Sequence, residues 1–263
     1  FQTDLPGGAH LGPVDARFSR QASEAPGGAV LGLKFENLDA GRVKSIAGVL
    51  LPHLRQQQIN DLLQSFDVTG QLEKMDLSWQ MPAHLKAANI EFKDLSLHTA
   101  KGGFAGLNGS LSGNGAEGVW ALNGLDLQVA LPQVFEQGNK TLAQLDGQGY
   151  WKNLLTANNE PLVIGVDRLG MNNADAELSL QGEYRKGTEG LGSINLAGQL
   201  NRADVSKVAD YLPMVIGPKL REWLRFNLKS GSAKEGGFVL RGRLEDFPYA
   251  APGVDGEFKI FAK

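Results

Sequence analysis

Side chains suited to covalent or metal chemistry are few in this 263-residue chain, and their spacing is poor for it. The four histidines, His10, His53, His84 and His98, are scattered, without the HxH or HExxH spacing that sets two imidazoles on one metal. Cysteine is absent, which removes thiolate zinc sites, disulfide frameworks and thiol nucleophiles together. There is no GxSxG, no Walker loop and no GxGxxG at a strand-to-helix junction. Carboxylates are plentiful but alternate with apolar residues, the pattern of a solvated strand face rather than of a paired acid and base. Asp246, in EDFPY, precedes Pro248 and reads as a turn residue without a partner carboxylate. The expectation is a protein that is not an enzyme and uses no metal or other cofactor.

One stretch concentrates cations and aromatics: YLPMVIGPKLREWLRFNLKSG, Tyr211 to Gly231. Trp223 and Phe226 stand there among Lys219, Arg221, Arg225 and Lys229. Such a helix can bind a membrane interface, complete an active site or act as a structural insert. Leu220, Trp223, Leu224 and Leu228 form a stripe that predicts packing against a sheet, with membrane contact the main alternative. Pro218 suits the first turn of the helix and Gly231 its stop.

The elements that carry these residues read mostly as strands. In ADAELSLQGEY, Ala174, Ala176, Leu178, Leu180 and Tyr184 fall on one face and acidic or polar residues on the other. The same alternation joins Met75, Leu77, Trp79 and Met81; Leu125, Leu127, Val129 and Leu131; Phe238, Leu240 and Leu244; and Phe258, Ile260 and Ala262. Glycine-rich punctuation, as in NGSLSGNGAEG and RKGTEG, predicts antiparallel hairpins side by side, about a dozen strands in all. Thirty-four glycines imply many turns and strands with little side chain. A net charge of −3 gives no support for nucleic-acid binding. No apolar run nears the 18 residues of a membrane span, so the chain reads as a segment whose anchor, if any, lies outside it.

Two regions break the period of two. Ala40–Phe66 and Ala203–Leu228 share a helix, a Leu-Pro turn, a second helix and a glycine, Gly70 and Gly231, before an alternating strand. This is an internal repeat, with units of roughly 30–150 and 190–263 and helical inserts at 40–66 and 203–229, in one continuous fragment of a larger protein. Recurrence of the helical pair favours an architectural role over a unique catalytic insert.

The C-terminal part also resembles a known family. Tyr211-Leu212-Pro213, Trp223-Leu224, Gly231, Arg241-Gly242, Leu244, Phe247-Pro248-Tyr249, then Gly256, Phe258, Ile260 and Ala262 follow the pattern of the YhdP-type members of the AsmA-like proteins of Gram-negative bacteria. GLNGSLSGNGAEGVWAL and NNADAELSLQGEY also look like that family's central region. The resemblance covers most of the chain from about Gly102 onward, is dense toward the C-terminal end and is less distinct before Ala40.

What the resemblance implies is a mainly β fold: a long, curved antiparallel sheet forming an open groove, with a helix pair in each repeat. It implies a periplasmic bridge that carries phospholipid between inner and outer membranes and is anchored to the inner membrane by a segment absent here. Its partners would be phospholipid acyl chains and, through the full-length protein, both membranes, with no nucleic acid. The groove-facing candidates are Met75, Leu77, Trp79, Ile90, Phe92, Leu125, Leu127, Val129, Leu178, Leu180, Tyr184, Ile194, Leu196, Phe238, Leu240, Phe258 and Ile260. The residues agree on physical grounds, because two short helical pairs cannot cover the apolar face of a dozen strands. An acyl tail laid along that face would bury about 0.8 kcal/mol per methylene. Two other readings stay open: an envelope scaffold whose apolar faces close on each other as a sandwich or barrel, and a carbohydrate-active β-solenoid, which would need clustered carboxylates.

Overall fold

Alternation of apolar and polar residues over runs of 11 to 16 residues produces unusually long strands, and hairpin turns lay them side by side. The computed structural model describes residues 3–4, 10–11, 15–22, 29–42, 65–80, 84–156, 160–187 and 189–261. A small ribbon pairs β1 (Thr3–Asp4) with β2 (His10–Leu11). All other strands belong to one 13-stranded antiparallel sheet. In order these are β3 (Asp15–Ala22), β4 (Ala29–Asp39), β5 (Phe66–Gln80), β6 (His84–Thr99), β7 (Gly102–Gly113), β8 (Glu117–Ala130), β9 (Asn139–Lys152), β10 (Leu162–Asn172), β11 (Ala176–Lys186), β12 (Ser193–Asp204), β14 (Gly236–Arg243) and β15 (Gly256–Phe261). The two-residue β13 (Ser232–Ala233) pairs with the end of β12 next to β14. Apart from the short β13, each strand of this sheet pairs with the next one along the chain, so the sheet is a meander, and β3 and β15 do not pair to close a barrel.

The register fixes the two faces, because residues directly opposite in an antiparallel pair project to the same side. One row runs Phe35, Met75, Ile90, Leu111 and Trp120 across β4 to β8. It continues through Gly149, Val166, Gly182, Leu196, Leu240 and Phe258 to the far edge. A row on one side of it joins Leu33, Leu77, Ala88, Gly118, Trp151, Ile164, Tyr184 and Ile194; a row on the other joins Leu38, Leu72, Phe92, Leu122, Leu169, Leu180 and Phe238. No charged residue occurs among these residues. The opposite face is polar, with Lys34–Asp76 at 2.6 Å, Lys74–Glu91 at 3.5 Å and Arg168–Asp146 at 2.6 Å as cross-strand pairs.

Bulges bend this sheet. On strand after strand the apolar series steps by three residues instead of two: Phe35 to Leu38, Leu72 to Met75, Phe92 to Leu95, Phe104 to Leu107, Leu142 to Leu145 and Val166 to Leu169. Left-handed residues mark three of these steps, Asn37 (φ 55°), Asp94 (φ 49°) and Gly106 (φ 91°), and Asp126 (φ 52°) marks a change of phase on β8; all are residue types that tolerate that conformation. Asn108 Oδ1 accepts the Asp94 backbone N–H at 2.9 Å, holding one such step. A bulge kinks its strand and raises the local twist, so a line of them curls the sheet into a curved, open groove with its apolar face inside.

The glycines do more than turn the chain. Trp151 lies flat over Gly118, where a Cβ would stand 2.0 Å from its ring, and Trp120 covers Gly149 in the same way. Phe238 covers Gly198, and Tyr249 covers Gly242 and Gly256. Each aromatic ring thus spreads across the adjacent strand, and the floor of the groove is smooth rather than bristling.

The second insert is seen in full. Asp204 caps a 3-10 helix over Val205–Tyr211, its carboxylate accepting the Ser206 N–H at 2.9 Å, and α1 (Pro218–Asn227) follows the Leu212-Pro213 turn. Pro218 occupies the first turn as expected. Gly231 does not stop the helix: α1 ends at Asn227 with Leu228 as its cap, and Gly231 (φ 130°) turns the chain into β13 three residues later. Of the first insert, Ala40–Arg42 forms a short 3-10 turn, and the helices expected from Val43 to Gln64 lie outside the described residues. Met81 and Ala262 lie outside them as well.

Candidate functional site

Among the described residues the apolar face is the most extended feature that could hold a ligand, and it is buried unevenly. Leu33, Phe35, Leu38, Leu72, Met75, Phe92, Leu107, Leu127 and Leu145 form a buried cluster on β4 to β9. On β10 to β15 the same face is only half-buried at Ile164, Leu169, Leu178, Leu180, Leu196, Phe238, Leu240 and Phe258. The groove therefore presents accessible apolar surface along its second half.

The register places most of the expected residues on this face. Met75, Phe92 and Leu127 lie in the buried cluster. Leu77, Trp79, Ile90, Val129, Leu178, Leu180, Tyr184, Ile194, Leu196, Phe238, Leu240 and Phe258 are half-buried on it, and Ile260 lies exposed near the edge on β15. Leu125 is a correction. It pairs with Gln144 and is 73% exposed on the polar face, because left-handed Asp126 flips the alternation between Leu125 and Leu127. The expectation missed Trp120 and Trp151, whose rings make much of the floor, although GVWALNG already alternates around Trp120. Phe35, Leu38 and Leu72, central to the buried cluster, were missed too, because left-handed Asn37 on β4 and a bulge after Leu72 on β5 shift the alternation.

An aromatic wedge closes over the inner face beside β15. Phe247 meets Tyr249 edge-on at 5.7 Å and Phe258 at 5.2 Å. The Tyr249 hydroxyl is buried there and has no hydrogen-bond partner among the described residues, and burial raises its pKa.

The second insert lies along the rim formed by the ends of β8 to β12. Tyr211 Oη donates to Asp175 Oδ2 at 2.8 Å and accepts from Asn173 Nδ2 at 2.7 Å, both in the β10–β11 turn. The Lys140 ammonium stands 4.3 Å from the centre of its ring. Burial, with the Asp175 carboxylate as second cause of the same sign, pushes the Tyr211 phenol up to about 12. The Met214 N–H donates to Val134 O at 2.8 Å, and Arg225 bridges Glu136 at 2.5 Å and Asp210 at 3.1 Å. The hydrogen bond from Arg225 holds the Glu136 carboxyl below its usual range and in turn raises the Arg225 pKa.

The orientation of α1 overturns its expected packing. Leu220, Trp223 and Phe226 face outward, Phe226 at 76% exposure, whereas Arg221 is the buried residue, only 9% exposed. Two apolar arcs compete on this helix, and the Arg225 bridge to the β8–β9 loop selects the arc with Leu224 and Leu228 for the inside.

Among the described residues no three His, Asp or Glu side chains come together as a metal site, and no helix is long and apolar enough to cross a membrane. A family model described as "YhdP protein" matches residues 12–263. No curated protein and no solved structure matches the chain.

Proposed function

The chain belongs to the YhdP family, and from that premise we propose that its groove binds the acyl chains of phospholipids and forms part of a non-enzymatic conduit between the inner and outer membranes. The observation that carries this reading is the set of uncharged rows crossing the sheet from β4 to β15, on a face that no second sheet covers among the described residues. An acyl chain laid on half-buried Leu180, Leu196 and Leu240 removes apolar surface from water at about 25 cal/mol per Å². Where rings lie flat over glycines the floor is smooth, so a bound tail can slide from one strand to the next. A headgroup keeps its hydration at the open side, so no covalent step and no headgroup pocket are needed. The setting is the periplasm, with an inner-membrane anchor elsewhere in the protein.

Site-specific photo-crosslinking in cells tests this. A photoreactive residue at Leu180 points into the groove, and one at Ser179, paired with Gly170 and Gln199, points out. Phospholipid adducts at 180 and not at 179 are the expected result. Absence of adducts at 180, 196 and 240 alike would mean a dry core and an envelope scaffold instead.

A further inference from the structure

The rim helix α1 turns its apolar side away from the protein. Trp223 is 57% exposed, and Leu220 and Phe226 lie one turn to either side of it. Met214 and Val215 are exposed just before the helix, and Val134, tied to Met214 by the backbone hydrogen bond, extends the patch onto the β8–β9 loop. The patch is held outward by fixed contacts, since Arg225 and Tyr211 dock the opposite side of the insert.

The charges around it are of one main sign. Lys219 and Lys229 are exposed and have no carboxylate partner among the described residues, while Arg225 is neutralised by Glu136 and Asp210. Glu222 is the one exposed acid on α1. The Lys229 ammonium stands over the Phe226 ring, 5.2 Å from its centre, so a cation borders the exposed aromatic directly. Exposed Trp and Phe with lysines at the border match the boundary between acyl chains and anionic headgroups, where rings enter and ammonium groups meet phosphate.

We propose that α1 and the Met214–Val215 turn form a membrane-interface site that docks the rim of the groove on a bilayer containing anionic phospholipid. This contact is distinct from lipid binding inside the groove and does not require it. It is a surface for a bilayer, made of Trp223, Phe226 and Leu220 with Lys219 and Lys229 at its border.

The test is flotation of the 263-residue chain with vesicles of phosphatidylethanolamine and phosphatidylglycerol, against vesicles of phosphatidylcholine alone. The wild-type chain is expected to float with the anionic vesicles and to lose at least about tenfold in partitioning when Trp223→Ser and Phe226→Ser are combined. Both side chains are exposed, so the variant keeps its fold. Lys219→Glu with Lys229→Glu should weaken flotation on anionic vesicles only, and Leu125→Ser, on the outer face, should change nothing. Equal flotation of wild type and the Trp223/Phe226 variant would overturn the proposal. So would a chain that fails to float while still taking up lipid in its groove, a result that leaves the proposed function standing. Sedimentation showing a dimer that the Trp223/Phe226 variant dissolves would assign the patch to a second copy instead.

Discussion

Replacing Gly118 by alanine adds one methyl group to a strand whose backbone accepts it, and alanine there should by itself stabilise the chain by about 0.5–1 kcal/mol. The structure predicts the opposite sign. The new Cβ would stand 2.0 Å from Trp151 Cζ2 and 2.3 Å from Cη2, where carbon atoms pack at about 3.5–4 Å. The ring already spans Gly118 and Gly113 on β7, where an added Cβ would also stand 2.8 Å from it, so the alanine methyl takes part of the ring's own seat. The ring must lift, weakening the bond from the Trp151 indole N–H to Asn114 O at 3.0 Å, worth about 1 kcal/mol. It also gives up part of its burial, worth about 1.5–3 kcal/mol for a large apolar side chain. The net expectation for Gly118→Ala is a loss of about 2–3 kcal/mol, or roughly 5–10 °C in Tm for a chain of this size. Circular-dichroism melting measures it, and indole emission should shift red as Trp151 meets water. Adding Trp151→Leu should remove most of the alanine's cost, since the obstacle is then gone. An unchanged or raised Tm in Gly118→Ala would refute the flattened-ring account of the groove floor.

Other perturbations separate the faces and the rim contacts. Leu127→Asp buries a carboxylate in the apolar cluster and should cost more than about 4 kcal/mol in urea denaturation, whereas Leu125→Asp should stay within about 0.5 kcal/mol; equal costs would show the faces to be misassigned. Tyr211→Phe removes the bonds to Asn173 and Asp175 and should cost about 1–3 kcal/mol. In a spectrophotometric titration one of the four tyrosines should ionise near 12 and be missing in that variant. Because the folded pKa of Tyr211 is raised, its contribution is complete below pH about 10 and drains away as pH climbs through the folded value. Glu136 behaves in the other direction: its pKa is lowered, so the bridge to Arg225 is intact at neutral pH and is lost only as pH falls below about 4. Amide exchange in Leu220–Leu228 should accelerate there, and Arg225→Met should show that faster exchange already at pH 7.

How legible all this was depended on where the period of two survived. On β11, Leu178, Leu180 and Tyr184 alternate without interruption, and sequence and structure agree. Where a left-handed residue inserts one extra position, alternation assigns the wrong face, as at Leu125, since an Asp in a strand looks like any solvated polar residue. The glycines were read as turns and weak strands, but Gly118 and Gly149 serve as seats for rings on neighbouring strands, a pairing set by register alone. The helix α1 was correctly placed and wrongly turned. Its orientation rests on Glu136, Asp210 and Val134, contacts from distant segments that helical periodicity does not contain.

Because the strands run across the groove and not along it, length and bore are independent quantities in this architecture. Eleven steps separate β3 from β15 along the main path of the sheet, about 53 Å at about 4.8 Å per strand. Removing one whole hairpin would shorten the groove by about 10 Å, yet the flanking strands would meet with their directions and inward faces in phase. Removing a single strand would reverse the chain direction and break the meander. Changes of length should therefore be tolerated in evolution and in engineering only as even numbers of strands, a parity rule written into the antiparallel ladder itself.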